Sequence, residues 1–170
     1  MAELRKVYWD SNAWLGLINR EAHKIRALEV VYIAAKKGDG RVEIWTSVIA
    51  FAEVFKVKEN PAAPRTIGEQ NKLIEDVMMQ PFVQLVEVNA LIGSLARGLL
   101  QRHAKLRKPY DAIHLASAVH YNLHALHTYD GKNLLALNGQ VKRRDGRNLD
   151  ICKPEEDADG PLFSTGSKEG

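Results

Sequence analysis

Short apolar runs alternate with segments of helical period along this chain, and that alternation constrains its fold more than any other feature. Val7-Tyr8-Trp9 is a strand-length run, and Ser11 or Asn12 after it can cap a helix through Leu15, Leu17 and Ile18. Ile25, Leu28, Val31, Tyr32 and Ala35 recur at helical spacing until Gly38 stops them. Val42-Glu43-Ile44-Trp45 alternates as a strand, and Ser47 opens a helix over Val48 to Val57. A loop over 58–66 with two prolines leads to a helix from about Ile67 to Met79. Val83 to Val88 reads as a strand, followed by Asn89 capping a long helix whose apolar face runs from Leu91 to Leu106. A helix over Asp111 to Tyr121, a strand over Ala125 to Tyr129 and a weaker one over Asn148 to Ile151 complete the pattern. Such an order predicts an α/β fold, a parallel β-sheet flanked by helices on both faces, with ligands beyond the strand C-termini.

Four carboxylates fall where such a chain should bury hydrocarbon: Asp10 after Val7-Tyr8-Trp9, Glu53 within Phe51 to Phe55, Asp111 before Ala112-Ile113, and Asp130 after His127-Thr128-Tyr129. Acids are rarely buried unless paired or metal-bound. Each has a bland reading: Asp10 in a capping cluster, Asp111 as a helix-dipole acid, Asp130-Gly131 as a turn and Glu53 on a solvated helix face. If the fold gathers them, two carboxylates ~4 Å apart repel by roughly 4 kcal/mol at an effective dielectric near 20, and a divalent cation is the simplest compensation.

A composition of 45% hydrophobic and 26% charged residues suits one globular domain. No apolar run reaches the ~18 residues of a membrane span, and the N-terminus lacks a signal-peptide layout. The single cysteine, Cys152, excludes an internal disulfide and fits a reducing cytoplasm. Charge is uneven: residues 153–170 hold two basic and five acidic residues, leaving 22 basic against 16 acidic in residues 1–152. A basic body around acids suits a polyanionic substrate. The terminal segment, with glycine and proline among acids and serines, is expected to be a disordered acidic tail.

Four segments carry a resemblance. Tyr8-Trp9-Asp10-Ser11-Asn12, Thr46 to Val54 with Glu53, Pro109 to Ala118 with Asp111, and Thr128-Tyr129-Asp130 follow one another in order. The chain thereby resembles PIN-domain ribonucleases over roughly residues 5–152, especially the small toxins of prokaryotic toxin–antitoxin pairs. The resemblance implies a PIN-like three-layer α/β/α nuclease domain over 1–152, and Asp10, Glu53, Asp111 and Asp130 as its catalytic, metal-holding acids. It further implies a protein antitoxin, a homodimer, and RNA products with a 5′-phosphate and a 3′-hydroxyl.

Oxygen ligands favour Mg²⁺ or Mn²⁺ over zinc. Ser11 and Thr128 are placed to hydrogen-bond the acids, and Asn12 to meet a metal-bound water or the scissile phosphate. The histidines, His114 and His120 included, read as packing or solvent-facing. Arg97, Arg102, Lys105, Arg107 and Lys108 form one candidate RNA track, and Lys142, Arg143, Arg144 and Arg147 another; either is equally a solvated face. Among rivals, a haloacid-dehalogenase-type phosphatase needs a second Asp where Asn12 stands, and no glycine-rich phosphate loop follows a strand. A non-catalytic RNA-binding or protein-interaction module has no need of four converging acids.

Overall fold

The computed structural model describes residues 3–155. The strands of the described residues are Arg5–Trp9 (β1), Val42–Ser47 (β2), Val83–Val86 (β3), Ala125–His127 (β4) and Asp150–Cys152 (β5). The helices are Ser11–Ile18 (α1), Ile25–Lys37 (α2), Val48–Glu53 (α3), Ile67–Met78 (α4), Ala90–Arg102 (α5) and Pro109–His120 (α6). All strands pair in parallel, in the order β3-β2-β1-β4-β5.

The central strand shows why both faces are covered. Val7 and Trp9 point into a core shared with α1, α2 and α4, whereas Tyr8 points into the core of α5 and α6. The buried part of β1 has no polar face, which is why Val7-Tyr8-Trp9 reads as an unbroken apolar run after Arg5 and Lys6. Trp9 and Trp14 are fully buried, with ring centroids 4.8 Å apart, and the Trp14 indole donates to Thr46 Oγ1 at 3.0 Å. The sheet and the two helical layers are the α/β/α arrangement read from the sequence.

Chain order fixes where a ligand would sit. From β1 the chain crosses through α1 and α2 to β2 on one side, and β4 lies on the other side of β1. The connections thus diverge at the C-terminal ends of β1 and β4, where parallel sheets open a crevice. Register places Trp9 beside His127, so Asp10 and Thr128 emerge next to each other.

Several boundaries differ from the sequence pattern. Helix α3 stops at Glu53, because Val54 leaves helical geometry at φ −84°, ψ 70°, and both Val54 and Val57 are buried in the α1–α4 core. Helix α5 stops at Arg102, where His103 turns extended, yet Leu106 is still buried beyond it. Helix α6 begins two residues before Asp111, since Pro109 suits a first helical turn. The cap of α1 is neither Ser11 nor Asn12 but Asp10 itself, whose Oδ1 accepts from the Ala13 amide at 3.0 Å. The expected tail beyond Glu155 lies outside the described residues.

Candidate active site

Four elements carry the acids: the end of β1, the last residue of α3, the first turn of α6 and the segment after β4. Asp10 leaves β1 and is 2% exposed. Burial pushes its carboxyl above the ordinary range, opposed by His114, the Thr128 hydroxyl and the Ala13 amide, and reinforced by the Glu53 charge. Thr128 also accepts from the Asp130 amide at 3.0 Å, so one hydroxyl ties together the ends of β1 and β4.

Glu53 closes α3, half-buried. Burial alone would raise its carboxyl, but the His114 hydrogen bond and charge, the Ser11 hydroxyl and Lys108 outweigh that and hold it below the ordinary range. His114 Nε2 lies 2.7 Å from Glu53 Oε2, a short charge-assisted contact.

Asp111 sits in the first turn of α6. Burial raises its carboxyl, Asp130 and Asp10 raise it further, and Lys108 and His114 oppose. Its Oδ2 is buried and has no hydrogen-bond partner among the described residues. Asp130 follows β4: burial would raise it, yet the Asn133 side chain, the Asn133 and Lys132 amides and Lys108 hold it low. Its Oδ2 accepts from Asn133 Nδ2 at 2.8 Å.

Asp130 and Asp10, from two other elements, therefore both act on Asp111, and Glu53 acts on Asp10. The model of the PIN domain matches residues 7–136. The chain belongs to the PIN domain family. No curated protein sequence matches it. Among solved structures, this PIN domain is similar to VapC20 of Mycobacterium tuberculosis, a toxin described as cleaving the sarcin–ricin loop, with 16% identity, TM-score 0.56, and coverage of 79% of this chain and 96% of that one. It is similar to VapBC2 from Rickettsia felis, bound to a fragment of promoter DNA, with 19% identity, TM-score 0.54, and coverage of 86% and 96%. A toxin–antitoxin complex from Klebsiella pneumoniae gives 20% identity, TM-score 0.53, and coverage of 88% and 98%. At these identities the likeness shows the fold.

The four-oxygen cage expected from the sequence is not ready-made: among the described residues no three His, Cys, Asp or Glu side chains form a metal-binding cluster. Like charges repel, and each acid takes the donors nearest to it. Asp10 caps α1, Glu53 holds His114 and Asp130 holds Asn133. The residues nonetheless fit a hard cation. Asp111 offers a buried oxygen with nothing bound to it, beside two further carboxylates, and all the candidate donors are oxygens.

Of the supporting residues, Ser11 reaches Glu53 and Thr128 reaches Asp10, while Asn12 is exposed on the first turn of α1. Arg102, Lys105, Arg107 and Lys108 are exposed, and Lys108 acts on Glu53, Asp111 and Asp130. The second basic cluster is elsewhere. Arg144 donates to the His120 carbonyl at 3.3 Å, at the far end of α6 from Asp111, and a 12-residue helix is about 18 Å long. Lys142 and Arg144 are exposed there, but Arg143 is 6% exposed and paired with Asp145 at 2.8 Å, so it is no part of a surface track. Sequence reasoning missed His114 and Asn133. The signal for His114 was its spacing, three residues after Asp111 on one helix face.

Proposed function

We propose that this PIN domain is a metal-dependent endoribonuclease that hydrolyses RNA phosphodiester bonds and serves as the toxin of a toxin–antitoxin pair. The observation that carries the nuclease reading is the buried, unpartnered Oδ2 of Asp111 among the charges of Asp10 and Asp130. Asp10, Asp111 and Asp130 would hold Mg²⁺ or Mn²⁺, with Glu53 completing the set directly or through water. When bound, such an ion supplies Lewis acidity and a water of lowered pKa.

The chain's own residues do the rest. Thr128 keeps Asp10 in place across the β1–β4 opening, and Asn133 does the same for Asp130. His114 and Ser11 keep Glu53 ionised, so its carboxylate could accept a proton from water. Lys108, exposed at the start of α6, offers a positive charge to a phosphate approaching the acids. The toxin role and an antitoxin partner are supported by the toxin–antitoxin proteins among its structural neighbours; homodimerisation and a cytoplasmic setting belong to the same proposal. Among the described residues no helix is long and apolar enough to cross a membrane.

The test is cleavage of structured RNA in Mn²⁺, abolished by EDTA and by Asp10→Asn. RNA retained on the wild-type protein with Mn²⁺ present and no cleavage would replace this reading with a binding module. Growth arrest on expression, relieved by the protein encoded beside it, tests the toxin role.

A further inference from the structure

The contact that holds Glu53 continues inward. His114 is 1% exposed, with Nε2 on Glu53 and Nδ1 2.8 Å from the Tyr8 hydroxyl. That hydroxyl is also 2.8 Å from Ser47 Oγ, and Tyr8 and Ser47 are fully buried. Four side chains from β1, the end of β2, α3 and α6 thus form one line from the sheet interior to the crevice.

A carboxylate only accepts, so His114 must carry its proton on Nε2. A neutral imidazole then needs a donor at Nδ1, and an imidazolium needs an acceptor. The Tyr8 hydroxyl serves either way, because Ser47 can give or take the remaining hydrogen bond. The Tyr8 hydroxyl also bonds the Ser47 backbone, and these buried contacts together hold the ring in its tilt. Sequence supports the same view: Tyr8 lies two residues before Asp10, and His114 three after Asp111, so the line is anchored beside two other acids.

We propose that Ser47, Tyr8 and His114 are positioning residues, a buried line whose purpose is to fix the Glu53 carboxylate against the other three acids. Its cleavage readout rests on the ribonuclease reading; its Mn²⁺-binding readout does not. Outer groups of this kind change metal affinity or activity by about 10–100-fold. In the full chain, Tyr8→Phe and His114→Leu should lower kcat by about 10–100-fold with KM within about twofold, and weaken Mn²⁺ binding followed by electron paramagnetic resonance. His114→Gln, which restores an N–H near the Nε2 position, should recover part of both losses.

Should Tyr8→Phe fail to fold, Ser47→Ala removes only the innermost hydroxyl, the one farthest from Glu53, and should show the same changes in smaller measure. Folded Tyr8→Phe or Ser47→Ala with wild-type kcat and wild-type Mn²⁺ affinity would overturn the proposal, as would His114→Gln behaving like His114→Leu. If the wild type binds Mn²⁺ yet cleaves no RNA, the nuclease reading fails separately, and the positioning line stands or falls on Mn²⁺ affinity.

Discussion

Asp111→Asn should make the protein more stable and inactive, and the size of the gain follows from its surroundings. Asp111 is half-buried, its Oδ2 has no partner among the described residues, and Asp130 and Asp10 both act against its charge. Two like charges repel by about 4 kcal/mol at ~4 Å and an effective dielectric near 20, and by proportionately less as they separate. Solvent on the open side and the opposing charge of Lys108 reduce the net penalty to about 1 kcal/mol. Asparagine has nearly the same shape, removes the charge and gives the acids an N–H donor. A gain of about 1 kcal/mol should raise the melting temperature by about 2–4 °C for a domain of this size. Mn²⁺ should then reverse the order. At a hundredfold excess over its Kd an ion stabilises the wild type by about 2.7 kcal/mol, whereas the variant, lacking a ligand charge, gains little. The assay is thermal denaturation with and without Mn²⁺, with cleavage measured in parallel. A variant melting below the wild type without metal, or an equal Mn²⁺ shift in both proteins, would refute the account of Asp111 as an uncompensated ligand.

Lys108→Glu should weaken RNA binding and reduce the slope of log K against log salt by about one. Reversal of Lys142 and Arg144, at the far end of α6, should leave cleavage and slope as they are, which a filter-binding salt series would decide. His127 is fully buried, accepts from the Trp9 indole at 3.1 Å, and burial pushes its pKa down to about 3, with Arg5 adding to the effect. The unfolded chain binds a proton near pH 6.5 that the folded chain refuses, so this residue's contribution falls as pH drops from about 6.5 towards 3, by up to about 1.4 kcal/mol per pH unit. Its ring resonances should not titrate between pH 7 and 5; a midpoint near 6.5 in the folded protein would contradict its burial. At Gly16 an added Cβ would lie 2.8 Å from Leu28 Cδ1 and 3.0 Å from Lys24 Cδ. Since Leu28 is fully buried, Gly16→Ala should destabilise by about 1–3 kcal/mol in urea denaturation, and an unchanged midpoint would show that α1 and α2 separate easily.

The parallel sheet was legible because the core strands are buried on both faces and therefore stand out as apolar runs between helical segments. Helix ends were less legible, because tertiary burial decides them: Val54, Val57 and Leu106 look helical in pattern but reach their cores from loops. The acids could be picked out because each interrupts hydrocarbon. What sequence could not supply was which of them would be satisfied by neighbours. Asp10-Ser11-Asn12 offers three possible caps without saying that the acid is the one used, and nothing in Asp130-Gly131 says that Asn133 will occupy its second oxygen. The basic clusters failed differently. Runs of Lys and Arg look alike in sequence, yet Lys108 of one acts on Glu53, Asp111 and Asp130, whereas the other folds back on Asp145 and the end of α6.

That contrast bears on how the crevice is built. Three of the acids have donors that stabilise them within the fold, through the Ala13 amide, His114 and Asn133, and these contacts also orient them. Asp111 alone among the four keeps a buried oxygen unpartnered among the described residues, so of the two acids whose carboxyls burial raises, Asp10 and Asp111, only Asp111 has an oxygen left for a ligand without a competing donor. A site arranged this way keeps its shape through the paired acids and its affinity for a cation through the unpaired one. If so, Asp130→Asn and Asp111→Asn should differ in kind. The first gives up favourable contacts with Asn133 and the Lys132 amide and should lower stability without metal, whereas the second should raise it. Opposite signs for two aspartates that lie on each other's doorstep, measured in the same buffer, would separate this division of labour from general repulsion, which predicts a gain for both.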